Sequence, residues 1–136
     1  MKWSEPIISE WRGTFGAAQR EVIVRIGIPR PEPRPYEWVC YFQIVGLSGN
    51  KVQRAYGIDG LQAITIAADA IRKRLNKLRD AQVGGVSYEF CFPKLMPTSY
   101  GLEFHRELVR LIDDKVAVVE KALTKARLAR TGRRKA

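Results

Sequence analysis

The stretch "AYGIDGLQAITIAADAIRKRL", residues 55–75, contains the change from strand to helix that decides the fold. Asp59 precedes a helical apolar pattern and Gln62 follows three residues later, which is the spacing of a capping box. The apolar residues that follow are Ile64, Ala67, Ala68, Ile71, Leu75 and Leu78. They recur at helical spacing, and basic residues collect near the end, where they suit the helix dipole. The pattern predicts an amphipathic helix of about 20 residues.

The two glycines of this stretch, Gly57 and Gly60, raise the question of a phosphate loop. A P-loop needs G-x-x-x-x-G-K-[ST], and a dinucleotide fingerprint needs G-x-G-x-x-G; the stretch matches neither motif. Asp59 also places a carboxylate at the helix N-terminus, where it satisfies free N–H groups and repels an anion. We therefore interpret the stretch as a structural cap.

Four strands are predicted before this helix, over residues 7–15, 20–29, 36–47 and 51–58, because their apolar residues alternate or cluster with aromatic and β-branched types. The turn residues 48–50 join the last two strands in a hairpin. Gly84 and Gly85 end the helix, residues 86–92 suggest a further strand, and a proline-bounded connection leads to a second helix. Strands followed by helices predict an α+β fold: an antiparallel sheet of four or five strands with two helices packed on one face.

The second helix is predicted to begin near Leu102 and to run into a basic end. Its apolar row consists of Leu102, His105, Leu108, Val109, Ile112, Val116, Val119 and Leu123. The net charge of +10 is uneven, since seven of the 24 basic residues and no acidic residue fall in residues 121–136. We predict a single α+β domain over residues 1–120 and a basic C-terminal helical extension or tail over residues 121–136.

Several classes of protein are excluded by what the sequence lacks. It has no run of 18 apolar residues for a membrane span and no apolar signal core near its start, so we expect a cytoplasmic protein. Cys40 and Cys91 lie in strand-like contexts and are expected to be reduced, buried thiols. The single histidine, His105, is expected to be packed on its helix. With no metal set, no cofactor motif and no catalytic set, we predict that the protein is not an enzyme.

A resemblance covers roughly residues 22–75. The segments "VRIGIPRPEP", "YFQIVGL" and "YGIDGLQAITIAADAIRKRL" resemble a family of small uncharacterised bacterial domains with the patterns V-R-I-G-x-P-x-P, Q-I-x-G-L and G-x-D-x-x-Q-A. The chain departs from the pattern at Ile64 and Ile66, which replace leucines. Such domains are similar in style to immunity proteins encoded beside bacterial toxins. The resemblance implies a shared fold, and it implies toxin neutralisation as one possible role.

A proline-rich loop, "PRPEPRPYEW" over residues 29–38, is the first candidate binding site. It contains Arg30, Arg34, Tyr36 and Trp38, residue types that dominate protein–protein hot spots, and its prolines lower the ordering cost of binding. The alternative is a plain hairpin connection with Trp38 in the core. We predict a non-enzymatic protein that binds a protein partner, with neutralisation of a toxin as one form of that role.

The basic end is the second candidate, and it predicts a nucleic-acid-binding module as the alternative function. Its candidate residues are Lys121, Lys125, Arg127, Arg130, Arg133, Arg134 and Lys135. Two other interpretations remain open: a helix continuation that frays at Gly132, and a solubility tail without a ligand. The tail has no aromatic residues to stack on bases, which disfavours single-strand binding.

Overall fold

An antiparallel sheet with one long helix packed against it forms the first part of the chain. The computed structural model describes residues 3–47, 49–97 and 99–135, which form two compact units, Met1–Leu95 and Met96–Ala136. The strands of the first unit are β1 Ile7–Phe15, β2 Arg20–Gly27, β3 Arg30–Pro31, β4 Trp38–Val45, β5 Val52–Gly57, β6 Gln82–Val83 and β7 Val86–Ser87. Its helices are α1 Gly60–Leu75 and α2 Tyr88–Cys91.

Among the described residues the sheet has seven strands, so the predicted count of four or five is wrong. The strand order is β3-β4-β2-β1-β6-β7, and β5 pairs with the other edge of β4. The three additional strands have two residues each. β2 and β3 both pair along the same side of β4, and Pro29, which has no N–H to donate, separates them. The four longer strands confirm the predicted segments to within two residues at each end. Of the predicted turn 48–50, Ser48 lies outside the described residues.

Residues 86–92 form a strand only at Val86 and Ser87, because a helical turn begins directly after them. Gly84 and Gly85 both have positive φ and close a tight hairpin between β6 and β7. The Ser87 hydroxyl then accepts a hydrogen bond from the Glu89 N–H at 3.2 Å, which caps α2. The predicted strand is therefore cut short by a local cap.

The capping box at the start of α1 is confirmed. Asp59 Oδ1 accepts from the Gln62 N–H at 2.8 Å, and Gln62 Oε1 accepts from the Ile58 N–H at 2.7 Å. In the usual capping box the Gln62 side chain would accept from the N–H of Asp59, whereas here it accepts from the residue before Asp59. The helix ends at Leu75, earlier than predicted, because the chain tightens over residues 76–78 and Arg79 takes a left-handed φ of 52°.

The core lies between α1 and one face of the sheet. Ala63, Ala67, Ile71 and Leu75 of α1 are fully buried, and they share one apolar cluster with strand residues. Those strand residues are Val22, Val24, Ile26, Cys40, Phe42, Ile44 and Ala55. Cys40 and Cys91 are both free thiols, Cys40 buried as expected and Cys91 half-buried. Burial raises the pKa of the Cys40 thiol to about 11, which makes it a poor nucleophile.

The second unit contains α3, Leu102–Lys135, a continuous helix of 34 residues that begins where the sequence predicts. The expected second helix on the sheet is not found in the first unit. There the residues around α2 supply Tyr88 and Phe92, both nearly fully buried, and Phe92 meets Trp11 edge-to-face at 5.4 Å. The layer beside the sheet is therefore completed by α2, which the sequence had suggested as a strand. α3 also runs without interruption through residues 120 and 132. The predicted domain boundary at 120, which concerns independent folding, stays a prediction.

No helix in the described part of the chain is both long and apolar enough to cross a membrane.

Gly57 is required by the close approach of β5 to α1. A Cβ at this position would lie 2.5 Å from the Ala63 nitrogen and 2.9 Å from the Gln62 carbonyl carbon, which are both backbone atoms. A Cβ on Gly60 would come no closer than 3.4 Å to any atom. We expect Gly57→Ala to destabilise the fold by about 1–3 kcal/mol through overpacking. Gly60→Ala, the matched control, is expected to be neutral or slightly stabilising, since alanine favours helices by up to about 1 kcal/mol over glycine. Urea unfolding of both variants measures the difference, and equal stabilities would contradict this account.

Asp69 is a nearly buried carboxylate that ties α1 to the segment after α2. Its Oδ1 accepts from the Leu95 N–H at 3.0 Å and from Arg72 Nη2 at 3.1 Å, and Lys73 lies 3.0 Å from Oδ2. Burial raises the pKa of Asp69, but these three partners together outweigh burial and lower it to about 2.

Because the folded-state pKa of Asp69 is depressed, its contribution to stability is present above about pH 4 and is lost as the pH falls through about 2. We expect the stability advantage of the wild type over Asp69→Asn to be on the order of 2 kcal/mol at neutral pH. Urea unfolding at a series of pH values is expected to show this stability advantage declining between pH 4 and pH 2. An advantage that is independent of pH would show that the carboxylate charge contributes nothing.

Candidate binding surfaces

The hairpin between β3 and β4 presents two exposed side chains at a rigid end. The Glu32 N–H donates to the Glu37 carbonyl at 2.8 Å and closes the loop over residues 33–36. Prolines fix the backbone at two of these four positions. Arg34 is exposed, and Tyr36 is 84% exposed with a left-handed φ of 56°. The loop therefore holds both side chains in solvent at little further ordering cost.

Trp38 and Arg30, two of the predicted binding residues, lie on opposite faces of the sheet. Trp38 is half-buried and packs against the core cluster, and its ring lies 3.4 Å from the Cβ position of Gly60. Arg30 pairs with Val39, the next residue along β4, so its side chain lies on the face without α1. The structure thus brings Arg30, Arg34 and Tyr36 together on one hairpin and directs Trp38 toward the core, as in the alternative interpretation of the loop.

Tyr41 lies between two arginines on the face of the sheet opposite α1. The Arg30 guanidinium is 5.0 Å from the Tyr41 ring centroid and the Arg54 guanidinium is 5.5 Å from it, both within cation–π range. Arg54 is opposite Tyr41 in the β4–β5 pairing, and the half-exposed Tyr56 is opposite Val39. We call these residues, together with Arg34 and Tyr36 at the exposed end of the β3–β4 hairpin, the arginine–tyrosine surface. Its members are Arg30, Arg34, Tyr36, Tyr41, Arg54 and Tyr56.

The neighbouring part of the same face is occupied by a self-contained ion network. Glu10 accepts from Arg12 at 2.8 Å and from Arg25 at 3.1 Å, and these two hydrogen bonds lower the pKa of Glu10. Arg25 also donates to Gln43 at 3.2 Å. On the arginine–tyrosine surface Arg30 pairs with Glu5, whereas Arg34 and Arg54 form no ion pair with any described residue. Glu32 on the same hairpin also attracts Arg30 and Arg54 at longer range, so the positive charge beside Tyr41 is only partly compensated.

The sequence analysis missed Tyr41, Arg54 and Tyr56 as members of a binding surface. The alternation in β4 and β5 assigns each residue to a face of its own strand. It does not give the register that places Arg54 opposite Tyr41, since the hairpin turn is compatible with several registers. Only the strand register, which the sequence does not determine, could have shown that these three residues lie together.

The basic end of α3 is helical throughout, and its charges do not share one side. Arg127, Arg130, Thr131, Arg133 and Arg134 line one shallow groove. Lys121 and Lys125 lie on another side of the helix, since each residue advances by about 100°. All of these side chains are exposed, and nothing is described for the side chain of Lys135. Of the interpretations left open, the helix continuation agrees with the structure, except that the helix runs past Gly132 to Lys135 without fraying there.

His105, half-buried near the start of α3, has no hydrogen-bond partner for its Nδ1 among the described residues. Asp113 and Asp114 are both exposed and diverge around the helix. No group of three or more His, Cys, Asp or Glu side chains converges as a metal site in the described ranges. The predicted lack of a metal, a cofactor and a catalytic set stays a prediction.

Comparison with known proteins adds one finding. Neither a search of curated proteins nor a search of solved structures found a match. Residues 14–91, more than half of the chain, match a family described as Domain of unknown function. This range contains the arginine–tyrosine surface, α1 and its capping box, and it ends before α3. The chain belongs to this family, DUF6968.

Proposed function

We propose that this chain is a non-enzymatic binding protein that holds an acidic protein surface against its arginine–tyrosine surface. The observation that carries the proposal is Tyr41, held between the guanidinium groups of Arg30 and Arg54 on the side of the sheet that does not carry α1. Arginine and tyrosine are the residue types most enriched, with tryptophan, among interface hot spots.

Pre-organisation supports this role. Tyr41 and Arg54 lie in paired strands, and Arg30 is fixed by Glu5 at 3.2 Å. Tyr36 is presented by a loop closed by a hydrogen bond. Side chains that are already ordered lose less entropy when a partner binds, so more of the contact energy appears as affinity.

Charge defines the chemistry of the partner. Guanidinium groups bind carboxylates in bidentate fashion, and Arg34 and Arg54 have no acidic partner among the described residues. A protein surface with carboxylates spaced around an apolar or aromatic contact would match this arrangement. Toxin neutralisation in the cytoplasm, with the arginine–tyrosine surface covering the active site of a toxin, is the specific form of the proposal that the sequence resemblance suggests.

A nucleic-acid-binding module is the second candidate, and it rests on a separate observation. Arg127, Arg130 and Arg134 follow one another at helical spacing along one side of α3 and line the same groove. Such a row can follow the phosphates of a duplex, and binding would then release counterions.

Variants on the arginine–tyrosine surface test the first candidate. Tyr36→Asn removes the exposed ring while tolerating the left-handed φ, and Arg54→Ala removes one of the two arginines at Tyr41. Arg20→Ala, which removes an exposed arginine at the start of β2, is the control. The wild type and Arg20→Ala are expected to capture the same partner from nuclease-treated host lysate. In calorimetry with the purified partner, we expect either surface variant to bind it at least about tenfold more weakly than the wild type. A captured protein with unchanged affinity for both surface variants would contradict the proposal.

Matched charge variants test the second candidate. Arg130→Gln/Arg134→Gln and Lys121→Gln/Lys125→Gln each remove two positive charges from α3, on different sides of the helix. If the arginine row binds phosphates, binding of a short fluorescent DNA duplex weakens steeply with salt. The log–log salt slope then falls by about 2 for the arginine pair and by less for the lysine pair. Equal losses for both variants would indicate non-specific attraction.

A further inference from the structure

α3 has a row of apolar residues that is exposed in the structure. The row follows the seven-residue spacing of positions a and d in a coiled coil. Its members are Leu102, His105, Val109, Ile112, Val116, Val119, Leu123 and Ala126. Leu102, Ile112, Val116, Val119 and Leu123 are each 46–61% exposed. The apolar row predicted from the sequence shares seven of these residues, but it included Leu108 and did not extend to Ala126.

The row is long enough to form an interface by itself. From Leu102 to Ala126 it extends for about 36 Å at 1.5 Å per residue. Seven of its eight members are apolar, and His105 is the exception. An exposed apolar row of this length marks an interaction surface. Its regular a/d spacing fits another helix with the same spacing.

We propose that this row is the seam of an antiparallel helix pair formed with α3 of a second copy of this chain. In an antiparallel coiled coil, a positions of one helix face d positions of the other. The register that covers the whole row pairs Leu102 with Ala126, His105 with Leu123, Val109 with Val119 and Ile112 with Val116, each pair occurring twice. The large Leu102 then meets the small Ala126, and every apolar member of the row has an apolar or histidine neighbour.

Charge selects the antiparallel orientation. Residues 121–135 contain seven basic residues and no acidic residue, whereas residues 102–120 contain five acidic and three basic residues. A parallel pair would place the two basic ends side by side, about 10 Å apart, close to the Debye length of about 8 Å at physiological salt. In the antiparallel register each basic end extends past the start of the other helix, and the two ends are about 40 Å apart.

A matched pair of substitutions tests the seam. Val116 lies in the row, and Val118, 63% exposed, is rotated away from it by about 200°. Val116→Glu would place two charges in the central layers of the seam, so we expect the full chain to change from dimer to monomer in sedimentation equilibrium. Val118→Glu, the same substitution two residues along, is expected to remain dimeric. Tryptophan fluorescence of both variants establishes that the first unit is still folded, because all three tryptophans of the chain lie in that unit.

A monomeric wild type at every accessible concentration would overturn the proposal. Dissociation by Val118→Glu, with no effect of Val116→Glu, would overturn it as well, because it would assign the contact to another side of α3.

Disulfide trapping tests the orientation. Val109→Cys and Val119→Cys are made separately in a Cys91→Ser chain, which keeps only the buried Cys40. One of the two carries a tag, and the chains are mixed in equal amounts and oxidised. The antiparallel pair predicts a mixed disulfide between the two chains and little bonding within either alone, since identical positions lie about 15 Å apart along the axis. Disulfides within each chain type, with none between them, would establish a parallel pair and overturn the proposal.

Discussion

The burial of one side of α1 against β4 and β5, with residues of β2 completing the core, is the contact on which the rest of the first unit depends. Ala63, Ala67, Ile71 and Leu75 have no exposed surface, and five of the six cluster residues that β2 and β4 contribute are β-branched or aromatic. Small residues at the first two of these helix positions let the helix lie close to the sheet. Gly57 permits the same approach at the end of β5, where any side chain would meet backbone atoms of α1. The capping box fixes where the helix starts.

Because α1 covers one face of the sheet, the other face is free to carry charge. An antiparallel sheet with one covered face alternates apolar and polar side chains along each strand. Here the polar set divides into two parts with different chemistry. Glu10 pairs with Arg12 and Arg25 within the sheet, whereas Arg34 and Arg54 of the arginine–tyrosine surface form no ion pair with any described residue. The fold itself thus separates a structural ion network from a candidate binding surface.

The second unit follows a different physical logic. α3 has an apolar row and a basic end on one continuous helix, and the family match ends before it. A helix alone in water is only marginally stable, and in proteins most helical stability comes from packing an apolar face against another element. An exposed apolar row of this length therefore favours association. Antiparallel association would use the apolar part and leave both basic ends accessible. Pairing and nucleic-acid binding are therefore compatible in one helix.

The sequence by itself determined the elements that are specified locally. The cap at Asp59, the four longer strands and the start of α3 were all predicted because caps and apolar periods depend on neighbouring residues. The length of α1 and the fate of residues 86–92 were not, since a left-handed Arg79 and the Ser87 cap ended the expected patterns early.

Only the tertiary structure decided which side chains lie together. Strand register placed Arg54 beside Tyr41, and the pleat directed Trp38 to the core while Arg30 took the other face. The apolar row of α3 shows the same limit most clearly. Its spacing specifies a helix with one apolar side, but a pattern of this kind is identical whether that side is buried in the same chain or exposed for another one. The periodicity is a local property of the chain, whereas the contact that covers it depends on residues far away in sequence.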